Sequence, residues 1–155
     1  MESTAQCLTA DELEQAMKSM VKVRDLYGSE ISKLGNPNFV AQQLFQMSQR
    51  GQVIKYYNHG RFVGIMVFDV AFLWWLDRPV LIEQLVLACD SESVGVQRAA
   101  LDTLDMLAME RYPQVCAICS GCLFNATQSQ MVINGYKKHG YTQTAPTTIK
   151  IIEGR

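Results

Sequence analysis

Hydrophobic and polar residues alternate in different rhythms along this chain, and each change of rhythm marks an element. Ser3 to Leu8 gives a weak first strand. Thr9 then precedes Ala10-Asp11-Glu12-Leu13. This is a threonine N-cap with a glutamate three residues on and acids in the first turn, which predicts a helix from there to about Tyr27. Leu13, Met17, Met20, Val21 and Arg24 fall at its core spacing, and Gly28 ends it. Asn36-Pro37 repeats the signal as a cap followed by proline at the first helical position. It opens a second helix carrying Phe39, Val40, Leu44, Phe45 and Met47, with Gly51 as its stop.

From Val53 the period shortens. Val53–Tyr57, the turn Asn58-His59-Gly60 and Arg61–Trp75 predict a hairpin with glycine where a positive φ is needed. Trp74 and Trp75 at its end are expected on opposite sheet faces, one in the core and one bordering a substrate or partner surface. Leu76-Asp77-Arg78-Pro79 turns the chain into Val80–Cys89, a short β-branched apolar run that reads as a buried strand. Three consecutive antiparallel strands are therefore expected.

After the turn Asp90–Gly95, residues Gln97–Glu110 place Ala100, Leu101, Leu104, Leu107 and Ala108 at helical spacing, and Tyr112-Pro113 breaks the helix. Val115–Cys119 reads as a strand reached through this helical crossover, so it should lie parallel to Val80–Ala88. Ala126–His139 is a further helix stopped by Gly140. Tyr141–Thr144 and Thr147–Ile151 supply one or two closing strands. The order predicts an α/β (α+β) fold with a mixed, mostly antiparallel sheet flanked by about four helices.

A strand that ends in a small loop and enters a helix puts free backbone N–H groups and a positive dipole end beside one another, which suits a phosphate-bearing ligand. Residues 1–151 read as one domain of the 155-residue chain, enough to bury roughly two-thirds of its unfolded surface. The last four residues, Ile152-Glu153-Gly154-Arg155, match a protease-cleavage sequence and are set aside from the fold.

Composition narrows the function classes. The net charge of −1, with acids and bases interspersed, lacks the basic footprint of a nucleic-acid binder. The longest apolar run, Phe62–Leu76, is interrupted by Gly64 and Asp69 and is too short to span a bilayer. Five cysteines, an odd count, with no basic region leading into an apolar N-terminal core, point to free thiols and a cytoplasmic location. Cys116, Cys119 and Cys122 recur at intervals of three. On a strand that spacing sends successive thiols to opposite faces, and a fourth ligand at matching spacing is absent, so buried free thiols are expected and no metal.

Glu83 is the candidate for chemistry. A carboxylate in the middle of an apolar strand is costly to desolvate, and it is tolerable lining a wet cleft, where desolvation raises its pKa toward that of a general base. Pairing with Arg61 or Arg78, or a place on a solvated face, is the alternative.

Four stretches resemble the GNAT acyltransferase superfamily, whose members move an acyl group from coenzyme A to an amine. Asn58-His59-Gly60-Arg61-Phe62-Val63-Gly64 is similar to its hairpin, and Ile82-Glu83-Gln84-Leu85-Val86-Leu87 to its central strand. Ser93-Val94-Gly95-Val96-Gln97 followed by Ala100-Leu101 is similar to its pyrophosphate loop. Tyr136-Lys137-Lys138-His139-Gly140-Tyr141 is similar to its closing pattern and is the most specific of the four.

The resemblance implies acetyl-CoA or another acyl-CoA as cosubstrate, with its pantetheine arm along Leu85, Val86 and Leu87. It implies a pyrophosphate on the backbone of Val94, Gly95, Val96 and Gln97, and a contact from Asn125. It also implies Glu83 as general base and Tyr136 as the acid that protonates the departing thiolate, although tyrosine at this helical spacing is also an ordinary core residue. The acceptor would be a small-molecule or peptide amine, and a homodimer is compatible with this reading. Glu92 and Gln97 depart from the family's loop, where a basic or amide side chain and a Gly or Ala are usual. A carboxylate repels a pyrophosphate, and a Cβ at Gln97 crowds the backbone's approach. The rival reading is the same fold without catalysis, serving binding or assembly, with the Trp pair and methionine-rich surfaces as contact sites.

Overall fold

The computed structural model describes residues 1–29, 32–90, 93–120 and 126–142. Its sheet runs β1 (Glu2–Thr4), β2 (Val53–Asn58), β3 (Arg61–Ala71), β4 (Val80–Ala88) and β5 (Ile118–Cys119), in that spatial order. The first four strands are antiparallel, and β5 joins β4 in parallel through Leu81–Ile118 and Ile82–Cys119. Helices α1 (Ala10–Tyr27) and α2 (Pro37–Gln49) cover one face. Helices α3 (Val96–Met106) and α4 (Ala126–Lys138) cover the other. This is the mixed, mostly antiparallel sheet with four helices that the periodicities predict.

The caps form as expected. Thr9 Oγ1 accepts from the Glu12 amide, and Glu12 Oε2 accepts from the Thr9 amide, closing a capping box at α1. The same Glu12 carboxylate is buried and takes Lys55 Nζ of β2 at 2.9 Å, while the Tyr57 hydroxyl donates to its other oxygen. One side chain therefore both starts α1 and docks it on the sheet. Burial opposes its charge, but Tyr57, the Thr9 amide and Lys55 outweigh burial and hold the carboxyl below its ordinary range. The Asn36 side chain caps α2 ahead of Pro37 in the same manner.

Several boundaries differ from the sequence reading. Strand β1 is three residues, Glu2–Thr4. Strand β3 stops at Ala71, where it pairs with Val80, so Trp74 and Trp75 sit in the connecting loop instead of straddling the sheet. Both are exposed, Trp74 completely. Helix α3 gives way at Leu107–Arg111 to a π-helical turn, and β5 shortens to two residues. On α1 the buried face is Glu12 and Ala16, flanked by Leu13, Met17, Met20 and Val23. Gly28 ends α1 with φ −65°, so its role is not left-handed freedom; a Cβ there would lie 2.4 Å from the Arg24 carbonyl oxygen. The thiols of Cys89, Cys116 and Cys119 are half-buried and Cys7 is exposed, which replaces the expectation of fully buried thiols. Cys122, the closing strand at residues 147–151 and residues 143–144 of the expected strand Tyr141–Thr144 lie outside the described residues, as do Glu92 and Asn125.

Strand β4 carries the feature that positions the site. Val67 pairs with Leu85 and its neighbour Phe68 pairs with Glu83, so Gln84 is an extra residue on β4, a β-bulge. Side chains normally alternate faces along a strand, and one extra residue reverses the alternation. Leu81 faces the α3/α4 layer and Glu83 reaches Tyr136 of α4, while Leu85 and Leu87 beyond the bulge face α1 and α2.

Gly64, opposite Ala88, lets α3 sit close over this strand. A Cβ there would lie 2.6 Å from the Leu87 carbonyl oxygen and 2.9 Å from Val96 Cγ1. Backbone at that distance cannot yield cheaply. Gly64→Ala is therefore expected to cost about 1–3 kcal/mol, a fall in Tm of about 3–9 °C; a thermal melt unchanged from wild type would show that α3 does not depend on this close approach.

Candidate active site

Glu83 is the centre of the α3/α4 side. It is 6% exposed. Tyr136 of α4, itself 7% exposed within the core of that layer, donates its hydroxyl to Glu83 Oε1 at 2.5 Å. Ser120, the residue after β5, donates to Glu83 Oε2 at 3.0 Å, and the Tyr141 hydroxyl lies 3.1 Å from Ser120 Oγ. The rings of Tyr136 and Tyr141 pack 5.1 Å apart. Neither cationic alternative holds the carboxylate: Arg61 pairs instead with Asp90 at 2.7 Å, and the groups acting on Glu83 are hydroxyls.

The electrostatics follow from that partner set. Burial dominates and raises the Glu83 pKa, opposed by the hydrogen bonds from Tyr136 and Ser120. Burial likewise raises the Tyr141 hydroxyl. A carboxyl pushed above its ordinary range and held in hydroxyl contact is a better proton acceptor than an exposed one.

Helix packing decides why these groups meet. Tyr136 follows Val132 by one turn, and both pack on the layer that includes Ala100, Leu101 and Leu104 of α3. His139, expected simply as a helix-end residue, reaches back from the end of α4 to Asp105 of α3 at 3.0 Å and so ties the two helices together. Gly140 then turns the chain with φ +94°, which brings Tyr141 onto Tyr136.

The loop before α3 has the backbone form that the sequence suggested. Gly95 adopts φ +97° at the N-cap of α3, and a Cβ there would meet nothing within 4 Å. Among the described residues no side chain caps this helix; the Val96 amide donates to Ser93 O at 3.1 Å, and the amides that follow it in the first turn lie at the positive end of the helix dipole. Val96 is buried against the sheet, Val94 is exposed, and the side chain of Gln97 is also exposed. Gln97 Nε2 lies 3.7 Å from where a Cβ of Gly135 in α4 would be, so this side chain reaches α4. The loop and the carboxylate are thus at successive points along β4: Glu83 in mid-strand, and the phosphate-type donors beyond its carboxyl end.

Of the sequence-derived candidates, the structure brings together Glu83 and Tyr136, and packs Val86 and Val96 on the same α3/α4 layer, while the side chains of Leu85 and Leu87 face α1 and α2. Asn125 lies outside the described residues. Ser120 and Tyr141 were missed. Tyr141 carried a usable signal, as the aromatic that closes the Tyr-Lys-Lys-His-Gly-Tyr pattern; Ser120 carried none, since a serine after a short strand is ordinary. Among the described residues no cluster of three or more His, Cys, Asp or Glu is placed to hold a metal ion, and no helix is long and apolar enough to cross a membrane.

No family model and no curated protein matches the sequence. Solved structures do match its fold: it is the fold of the GNAT N-acetyltransferases. A ribosomal-protein-alanine N-acetyltransferase from Brucella melitensis biovar Abortus 2308 superimposes with a TM-score of 0.67 at 12% identity, covering 97% of this chain and 98% of that one. An aminoglycoside 6′-N-acetyltransferase from Acinetobacter haemolyticus gives 0.65 at 11%, covering 99% of each chain. A protein described as a transcriptional regulator from Bacillus halodurans C-125 gives 0.69 at 13%, covering 97% of this chain and all of that one. At such identities the likeness carries the fold, and the chemistry must be argued from the residues.

The raised Glu83 pKa has a sign that can be checked. A carboxyl that binds its proton more tightly folded than unfolded contributes stability below its unfolded value, and that contribution is lost as pH rises through the folded value. Once ionised, Glu83 is therefore less favourable to the folded state than its protonated form is. Glu83→Gln keeps the shape and can accept from Tyr136 while its amide meets Ser120, whose hydroxyl then turns to Tyr141. Its Tm relative to wild type is expected to rise as pH increases from the ordinary carboxyl value through the raised folded one and then to level off; a difference that falls as pH rises would overturn the assignment.

Proposed function

We propose that this protein is a coenzyme-A-dependent N-acyltransferase, moving an acetyl group from acetyl-CoA to a small-molecule or peptide amine in the cytoplasm. The observation that carries the reading is the buried contact between Tyr136 and Glu83, which joins a proton acceptor to a proton donor beside a strand that leads to an uncapped helix start. The residues present fit the cosubstrate: the left-handed Gly95 opens α3, and the first-turn amides after Val96, whose own N–H is held by Ser93 O, offer backbone donors to a pyrophosphate. Cys89 N–H donates to Val63 of β3. Alternation along β4 then aims the amides of Val86 and Ala88 the other way, where a pantetheine arm can lie along the strand.

The reaction follows from these positions. The amine nitrogen attacks the thioester carbonyl, the C–N bond forms, and the C–S bond breaks. Glu83, directly or through one water, takes the proton that the amine loses. Tyr136 gives its hydroxyl proton to the departing thiolate and recovers one from Glu83 across their shared hydrogen bond. One proton leaves the amine and one reaches sulfur, so the pair returns to its starting state after each turnover. Holding both reactants in line supplies the rest of the acceleration, and no cysteine nucleophile is required.

A second reading, a catalytically silent protein of this fold serving binding or assembly, draws support from Gln97 and Glu92 in the phosphate loop. Thermal shift separates the two. Coenzyme A at 100 times its dissociation constant is expected to stabilise the protein by about 2.7 kcal/mol, and no shift at millimolar coenzyme A would favour the silent protein. Where binding is seen, Tyr136→Phe is expected to lower kcat about 100-fold or more with coenzyme A affinity nearly unchanged; equal turnover in the variant would exclude the acid role of Tyr136.

A further inference from the structure

Glu83 engages Tyr136 through only one oxygen. Its other oxygen, Oε2, meets Ser120 Oγ at 3.0 Å, and Ser120 Oγ in turn meets the Tyr141 hydroxyl at 3.1 Å. A serine hydroxyl has a single proton, so when it donates to the carboxylate the Tyr141 hydroxyl must be its donor. The chain of donation therefore has one direction, from half-buried Tyr141 through half-buried Ser120 to buried Glu83.

We infer that Ser120 and Tyr141 are positioning residues for Glu83, forming a hydroxyl chain that fixes the plane of the carboxylate and supports its charge within the site. The inference rests on the acyltransferase reading only for what Glu83 does in turnover; the chain itself is geometric. Three parts of the fold must cooperate to build it: mid-strand β4, the residue leaving β5, and the turn after α4 at Gly140. The Tyr136–Tyr141 ring packing holds the far end, so the Tyr141 ring is fixed independently of its hydroxyl.

The groups that face this cluster make the hydroxyls decisive. Tyr56 approaches from β2, Asp102 and Asp105 from α3, Cys119 from β5 and Tyr136 from α4. His139 is engaged by Asp105 and Asp102. The neighbours that act on Glu83 itself are Tyr136 and Ser120, both of which favour its ionised form against burial. Hydrogen bonds to a carboxylate are of the stronger kind and cooperate along a chain, so removing Ser120 should be felt at Glu83 more than a surface serine would be.

The test is a titration of the full-length protein labelled with carboxyl-13C glutamate, the Glu83 resonance being assigned by its loss in Glu83→Gln. Ser120→Ala is expected to move the Glu83 midpoint upward by about one to two pH units. Ser120→Thr, which keeps the hydroxyl, is expected to return it to the wild-type position. Tyr141→Phe, which keeps the ring, is expected to give a smaller upward shift. The acidic limb of the kcat/KM profile should move with the resonance. An unmoved midpoint in Ser120→Ala, or an equal shift in Ser120→Thr, would overturn the inference. Because the resonance needs no turnover, a protein that binds no coenzyme A yet shows these shifts would remove the acyltransferase reading and leave the hydroxyl chain standing.

Discussion

The constraint on which the rest of the structure depends is that β4 must bury both of its faces while carrying a carboxylate in its middle. Without the extra residue at Gln84, strict alternation would put Glu83 and Leu85 on one face, an acid beside core leucine. The bulge separates them: Glu83 turns to the α3/α4 layer, and Leu85 and Leu87 turn to α1 and α2. Once Glu83 is on that side, its solvation must come from protein groups, because a buried carboxylate without partners is too costly to keep. Tyr136 and Ser120 supply them, which in turn fixes the height of α4 and the exit of β5. Gly64 on the neighbouring strand completes the arrangement by letting the first turn of α3 approach the end of β4.

A second buried carboxylate shows how desolvation and partner chemistry act together. Glu12 and Glu83 are both buried, yet their acidities move in opposite directions. Glu12 has an ammonium, a phenol and a backbone amide, and together these outweigh its desolvation; among the described residues Glu83 is held by hydroxyls, which do not outweigh a heavier desolvation. The first arrangement locks charge in place and suits a structural role, in which a single residue caps α1 and docks it on β2. Losing the cation would leave the charge uncompensated, so the pair specifies how α1 sits. The second leaves the carboxyl able to give and take a proton, as a site needs.

Much of this was legible in the sequence, because local signals carried it. Thr9 with Glu12 and Asn36 with Pro37 announced two helix starts, and Asn58-His59-Gly60 announced the hairpin. The apolar run at Val80 and the crossover to Ile118 fixed the parallel pairing of β4 with β5. What escaped was set by contacts distant in sequence. The bulge at Gln84 depends on how Phe68 pairs across the sheet, and Ser120 matters because β4 lies beside it. Apolar content alone extended β3 through Trp75; the strand ends where its partner begins, at Ala71 opposite Val80. Similarly, helical spacing continues past Met106, and nothing local in Leu107–Arg111 reveals the change to a π turn.

The loop before α3 shows the same division between side chain and backbone. By side-chain identity, Gln97 breaks the family's pattern and argues against a ligand. By backbone, Gly95 takes the left-handed conformation, and α3 begins without a side-chain cap. An anion at a helix start is recognised mainly by main-chain N–H groups and the dipole, which are indifferent to what the residue carries beyond Cβ. The requirement at this position is therefore that the side chain stay out of the way. The side chain of Gln97 is exposed and its Nε2 comes within ordinary contact distance of Gly135 on α4, where even an added Cβ would fit, so the identity of residue 97 sets no steric demand on that helix.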